Sequence, residues 1–179
     1  MMSYIKRIAF LFCTLFFYQF GCSQSDTKLT GLVLNKNFDL KISSMIKQTI
    51  PVIGVEDLKN IQNEVVIFDA RNKEEYEVSH IPGAHFLGYK DFNPEQLKDI
   101  PKDKKIILYC SIGYRSEKIG EKLNKLGYTN VYNLYGSIFE WANRGYPLLD
   151  DKENKIQRVH TYNFSWSKWI NNEHIEKVW

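Results

Sequence analysis

The sequence predicts an α/β fold, a single domain with a mainly parallel central sheet flanked by helices. Three observations carry this. Short apolar runs rich in branched side chains recur at Val52-Ile53, Val65–Phe68, Ile106–Tyr109 and Val131–Leu134, as buried parallel strands require. Stretches of helical periodicity lie between them, and that alternation indicates crossover connections. Two of the runs end on chemistry-bearing residues, Asp69 and Cys110. In open sheets of this class, ligands sit beyond the carboxyl ends of the strands.

Taken in order, residues 1–21 stand outside the fold as a signal peptide. Met1 to Arg7 is a short basic stretch, and Ile8 to Phe20 is apolar apart from Thr14 and Gln19. That run falls short of the roughly 20 residues a spanning helix needs. Gly21-Cys22 stops it and Ser-Gln-Ser-Asp follows, an arrangement that resembles a bacterial lipoprotein signal with Cys22 as the lipidated residue. An uncleaved anchor or plain secretion is the alternative. Each version implies an exported domain in a bacterial cell envelope, and a lipid on Cys22 would tether it to a membrane, facing the periplasm.

Residues 22–50 read as a tether followed by an amphipathic helix over Asn37–Ile50, with Phe38, Ile42, Met45, Ile46 and Thr49–Ile50 on its apolar face. The domain proper is expected over residues 51–149. It starts with a strand at Pro51–Gly54 and a helix at Val55–Ile61. The Val65–Phe68 strand then leads to Asp69 and a helix at Asn72–Val78. A turn at Ile81–Ala84 precedes an extended piece at His85–Leu87, and Pro94–Ile100 forms a short helix. After the Lys105–Tyr109 strand comes a helix at Arg115–Leu126, which Gly127 terminates. A strand at Val131–Leu134 and a helix at Ser137–Asn143 complete the domain.

Charge and cysteine content narrow the chemistry. The net charge of +3 includes Lys6 and Arg7, so loss of residues 1–21 leaves +1. A nearly neutral domain offers no basis for nucleic-acid binding. Of the three cysteines, Cys13 and Cys22 lie in or beside the leader, which leaves Cys110 without a disulfide partner. An unpaired thiol in an oxidising compartment is a liability unless it does chemistry.

Cys110 sits at the end of an apolar strand, before Ser111-Ile112-Gly113-Tyr114-Arg115-Ser116 and a helix. A loop of this kind turns its amides inward, and the helix adds the positive end of its dipole, so the whole forms an anion cradle. Gly113 lets the backbone curl. The amides and Arg115 favour the thiolate over the thiol, whose ordinary pKa is about 8.5. Cys110 is therefore the candidate nucleophile, and Ser111 to Ser116 are the candidate substrate-binding residues. Asp69 and Arg71 are expected to hold the rim as an ion pair or as turn-bonding elements rather than to carry protons. No metal or organic cofactor is implied, because no Cys/His cluster suggests one.

Several stretches together resemble the rhodanese homology domain: Asp69-Ala70-Arg71, Glu75-Tyr76 and His80–His85; Tyr109–Ser116; and Leu126-Gly127-Tyr128, Val131-Tyr132, Gly136, Trp141 and Gly145–Leu148. The resemblance spans about half of the chain. It implies a sulfurtransferase that carries sulfane sulfur as a Cys110 persulfide, from a small donor such as thiosulfate to a thiol or cyanide acceptor. It also implies that His80 and His85 frame a turn rather than move protons. Four residues separate Cys110 from Arg115, whereas cysteine phosphatases and an arsenate-handling relative have five. The other readings are a non-catalytic sulfur carrier or protein-binding module, a phosphatase or arsenate reductase, and an oxidoreductase. The last is weakened by the lack of a second thiol.

Residues 150–179 exceed the ordinary domain. A polar linker at Asp151–Gln157 precedes Tyr162, Phe164, Trp166, Trp169 and Trp179. Aromatics at this density bury large areas. They are expected to strap the domain, with a protein partner or a membrane surface as the alternative.

Overall fold

A computed structural model describes residues 31–179, so the signal peptide, Cys22 and most of the tether lie outside the described residues. Strands β1 (Val52–Ile53), β2 (Val66–Asp69), β3 (Ala84–Phe86), β4 (Ile106–Tyr109) and β5 (Val131–Leu134) form one sheet. Its order is β1-β5-β4-β2-β3 and every pairing is parallel. The helices are α1 (Lys36–Ser43), α2 (Val55–Ile61), α3 (Lys73–Val78), α4 (Tyr114–Lys125) and α5 (Ser137–Asn143). Pro94–Leu97 is a single 3-10 turn.

The pleat explains the unbroken apolar runs. In β4, Ile107 and Tyr109 face a core shared with Phe38, Leu58, Phe139 and Trp141, while Ile106 and Leu108 face a second core with Ile119 and Leu123 of α4. Both faces are covered, so every position in the strand carries an apolar or aromatic side chain.

The amphipathic segment is shorter than its apolar spacing predicts. Asn35 accepts from the Asn37 and Phe38 amides and starts α1 at Lys36. The helix stops at Ser43, where the hydroxyls of Ser43 and Ser44 turn back onto the Leu40 and Lys41 carbonyls. Gln48 then adopts a left-handed conformation, and the Lys47 and Thr49 amides donate to the buried Glu117 carboxylate. Ile46 and Ile50 are buried all the same. Their apolar spacing reports burial along a turn rather than one continuous helix.

The extension folds across the domain. The polar linker closes a small hairpin, β6 (Leu148–Leu149) against β7 (Lys155–Ile156), because the Asp150 carboxylate accepts from the Lys152 and Asn154 amides. Strand β8 (Arg158–His160) pairs in parallel with β9 (Glu176–Val178), and α6 (Phe164–Ser167) lies between them. Val159, Ile170 and Ile175 enter the first core, and Trp169 stacks on Phe38 at 5.5 Å. No helix among the described residues is long and apolar enough to cross a membrane.

Candidate active site

Strand β4 delivers Cys110 to the carboxyl rim of the sheet, where the residue is almost wholly buried. Its sulfur accepts from the Gly113 amide at 3.2 Å. Gly113 has φ 123°, a conformation that favours glycine, and it forms the N-cap of α4. Burial alone would push the Cys110 thiol up. Arg115, the amides of Ser116 and Gly113 and the Ser116 hydroxyl outweigh that and bring it below its ordinary value.

The turn before α5 locks the loop from behind. Gly136 and Ser137 both have positive φ, which drops the start of α5 beneath the cysteine. The Cys110 amide donates to the Ser137 hydroxyl at 3.1 Å, which in turn donates to the Leu134 carbonyl. The amides of Ile138 and Phe139 donate to the carbonyls of Cys110 and Ser111. Asn133 joins the loop to β5: its amide group donates to the Gly113 carbonyl and its oxygen accepts from the Ser116 hydroxyl. Ser116 is thereby turned inward and fully buried.

Two arginine–carboxylate pairs occupy the rim. Arg71 holds Asp69 through Nη2 to Oδ2 at 2.6 Å and through Nε, and both side chains are fully buried. Arg71 also donates to the Ser79 carbonyl and lies over the Tyr109 ring. Burial keeps the Tyr109 phenol well above its ordinary value, and its oxygen accepts from the Ile81 amide. The second pair is Arg115 with Glu75, a fork of 2.6 and 2.8 Å, and Arg115 Nη2 also donates to Ser111 Oγ at 2.9 Å. Burial would raise the Glu75 carboxyl, but Arg115 and Arg71 hold it below the usual carboxylate range.

Glu75, Ser137 and Asn133 escaped the reading of the sequence as site residues. Only Glu75 left a local trace. It stands three residues after Asn72, and the two form a capping box at the start of α3, which points the carboxylate back along the rim.

A cavity of about 350 Å³ opens above the sulfur. Cys110, Ser111, Ile112, Tyr114 and Arg115 line one side, while Gly113 and Ser116 contribute from beneath. Met45 from the amino-terminal segment and Tyr162 and Trp166 from the extension line the other, a contribution the sequence did not announce. His80 is buried, stacks on Tyr76 at 4.2 Å and pairs its backbone with Leu149. His85 lies on β3 with its side chain outward. Neither lines the cavity. Among the described residues no group of three or more His, Cys, Asp or Glu side chains could hold a metal ion.

A family model described as a rhodanese-like domain matches residues 54–144. A sulfurtransferase of Allochromatium vinosum is 35% identical over 86 residues, covering 48% of this chain and 79% of that protein. A tRNA uridine(34) hydroxylase of Erwinia tasmaniensis is 38% identical over 86 residues, which is 45% of this chain but 25% of the hydroxylase. Among solved structures, a rhodanese-like domain from Anabaena sp. has a TM-score of 0.52 at 22% identity, covering 57% of this chain and 80% of that one. The polysulfide-sulfur transferase homodimer of Wolinella succinogenes also reaches 0.52, at 18% identity, over 66% of this chain and 90% of that one. At these identities the two structures speak to the fold alone.

Proposed function

Because the chain belongs to the rhodanese-like family, we propose that it is a sulfurtransferase working through a persulfide on Cys110. The observation that carries the reading is a buried sulfur at the sheet rim, with thiolate-stabilising groups around it and a cavity above it. The Cys110 thiolate attacks the sulfane sulfur of a donor such as thiosulfate. A sulfur–sulfur bond forms to Cys110 as the donor's own sulfur–sulfur bond breaks, and the electron pair leaves with sulfite. A thiol or cyanide then attacks the outer sulfur and the Cys110 thiolate returns. This is two-step covalent catalysis in which the charge stays on sulfur and the same amides serve both forms.

The geometry weighs against the rival chemistries. A phosphatase binds phosphoryl oxygens with its loop arginine, and here Glu75 and Ser111 already engage both Nη atoms of Arg115. Disulfide chemistry needs a second thiol, and Cys110 is the only cysteine among the described residues. Hydroxylation, the activity in the Erwinia protein's name, belongs to a chain of which this one matches a quarter.

The test is intact mass and thiocyanate formation after the full chain meets thiosulfate and cyanide, with Cys110→Ala beside it. Gain of one sulfur with turnover, both lost in the variant, is the expected result. Gain without turnover would make the protein a sulfur carrier. No gain from any sulfane donor would overturn the reading. The proposal extends to location, since the sequence of residues 1–22 suits export with a lipid on Cys22. Labelled palmitate should enter the chain in a bacterial host and be lost in Cys22→Ser.

A further inference from the structure

The extension that braces the domain also reaches its chemistry. Tyr162 and Trp166 stand about fifty residues beyond Cys110 in sequence and line the cavity above its sulfur. The centroid of the partly exposed Tyr162 ring lies 5.6 Å from the Arg115 guanidinium. Its backbone has φ 66°, a conformation that bulky residues seldom adopt unless the surroundings impose it. The surroundings do impose it. The Tyr162 amide donates to His160 Nδ1 at 3.1 Å, and the preceding Thr161 amide is bonded to the Val178 carbonyl at 2.7 Å. Trp166 is fixed as well: its amide is capped by the Asn163 side chain, and its ring packs against the first core with Lys41 5.6 Å above it.

Charge at the cavity points the same way. Glu75 meets the positive charge of Arg115 with both carboxylate oxygens, and the remaining cation on the lining is the exposed Lys90. An inorganic dianion would meet the same loop amides, but its remaining charge would face aromatic walls and one solvated ammonium in place of water. A monoanion that carries an apolar group behind its sulfur–sulfur bond can present its charged end to the loop amides and its body to the rings. The volume, about 350 Å³, suits a small organic molecule.

We infer that Tyr162 and Trp166 form an aromatic specificity wall, and that the donor this site prefers is an organic sulfane-sulfur anion with an apolar body rather than thiosulfate. The inference rests on the sulfurtransferase reading and names its substrate class. With a thiosulfonate as donor, the Cys110 thiolate attacks the terminal sulfur and forms the persulfide bond. The donor's sulfur–sulfur bond breaks and its electron pair leaves with the sulfinate, so one negative charge enters and one departs.

Benzenethiosulfonate and methanethiosulfonate share that reacting group and differ in the body attached to it. The rate at which each loads one sulfur onto the full chain is measured by rapid quench and intact mass. Each rate is divided by the donor's rate with a free thiol, which removes differences in leaving group. An apolar pocket of this kind should favour the phenyl donor by about tenfold or more after that correction. Tyr162→Gly, which also relieves the backbone, and Trp166→Ala should each bring the ratio at least halfway to one on a logarithmic scale, with circular dichroism reporting their fold. A corrected ratio near one in the unaltered protein overturns the wall whether or not the variants fold. A high ratio that survives in both folded variants overturns it too. Failure of both thiosulfonates while thiosulfate loads Cys110 would overturn the donor class alone, failure of thiosulfate as well would bring down the sulfurtransferase reading itself, and loading without preference brings down the wall alone.

Discussion

The two arginine–carboxylate pairs at the rim use the same chemistry for different ends. Asp69–Arg71 is sealed, with no exposure on either side chain; Arg71 Nη2 also donates to the Ser79 carbonyl, while its buried Nη1 has no protein partner among the described residues. Glu75–Arg115 is equally close, yet Arg115 keeps 14% of its side chain exposed and borders the cavity. A sealed pair has paid the full desolvation penalty and cannot meet a substrate, so its work is to hold the turn between β2 and α3. The open pair acts on Cys110, because Arg115 favours the thiolate while it also pairs with Glu75. Burial of the partner, more than the choice of residues, separates an architectural ion pair from a functional one.

The largest expected effect comes from breaking the sealed pair. Asp69→Asn leaves the Arg71 guanidinium buried without its counter-charge, and urea unfolding should show a loss of about 3–5 kcal/mol. The corresponding change in the open pair should cost less. Glu75→Gln leaves Arg115 able to reach water, and a loss of about 1–3 kcal/mol is expected at neutral pH. That gap should depend on pH in one direction. The Glu75 carboxyl is held below the usual range in the folded protein. Its contribution is therefore present above the unfolded value, about 4.3, and disappears as pH falls through the lowered folded value. Urea midpoints of the two proteins should converge in acid; a gap that persists there would mean that shape rather than charge accounts for it.

The contrast between the pairs also marks how far the sequence could be read. The sheet was legible because β2, β4 and β5 are buried on both faces, and such strands leave runs that no other element needs. The sealed pair was legible because Asp69 and Arg71 are two residues apart at a strand end, where a side chain can bond its own turn. The cradle was legible because Cys110 and its loop are contiguous. Partners fixed by tertiary structure were not. Glu75 meets Arg115 across 40 residues, and Ser137 meets the Cys110 amide across 27. No spacing in the chain encodes those distances. The extension shows the same limit, since its aromatic content predicts burial but carries no address, and its placement of Tyr162 and Trp166 at the cavity follows from the β8–β9 pairing.

The smallest expected effect is the one that best separates the pairs, and it falls on reactivity rather than stability. If Glu75 draws charge away from the sulfur by holding Arg115, then Glu75→Gln should free that charge and lower the Cys110 thiol further. Arg115→Met should do the reverse, since it removes the cation and leaves a buried carboxylate near the sulfur. Iodoacetamide alkylation followed against pH reads both. The midpoint should move down in the first variant and up in the second, with rates at neutral pH changing by a few-fold, on the order expected where solvent screens part of the interaction. Asp69→Asn, examined under conditions where it stays folded, should leave the midpoint near that of the unaltered protein, because the groups that chiefly favour the thiolate are Arg115, Gly113 and Ser116. A midpoint that moved as far in Asp69→Asn as in Arg115→Met would show that the rim acts on Cys110 as one charged body, and the distinction between sealed and open pairs would fail.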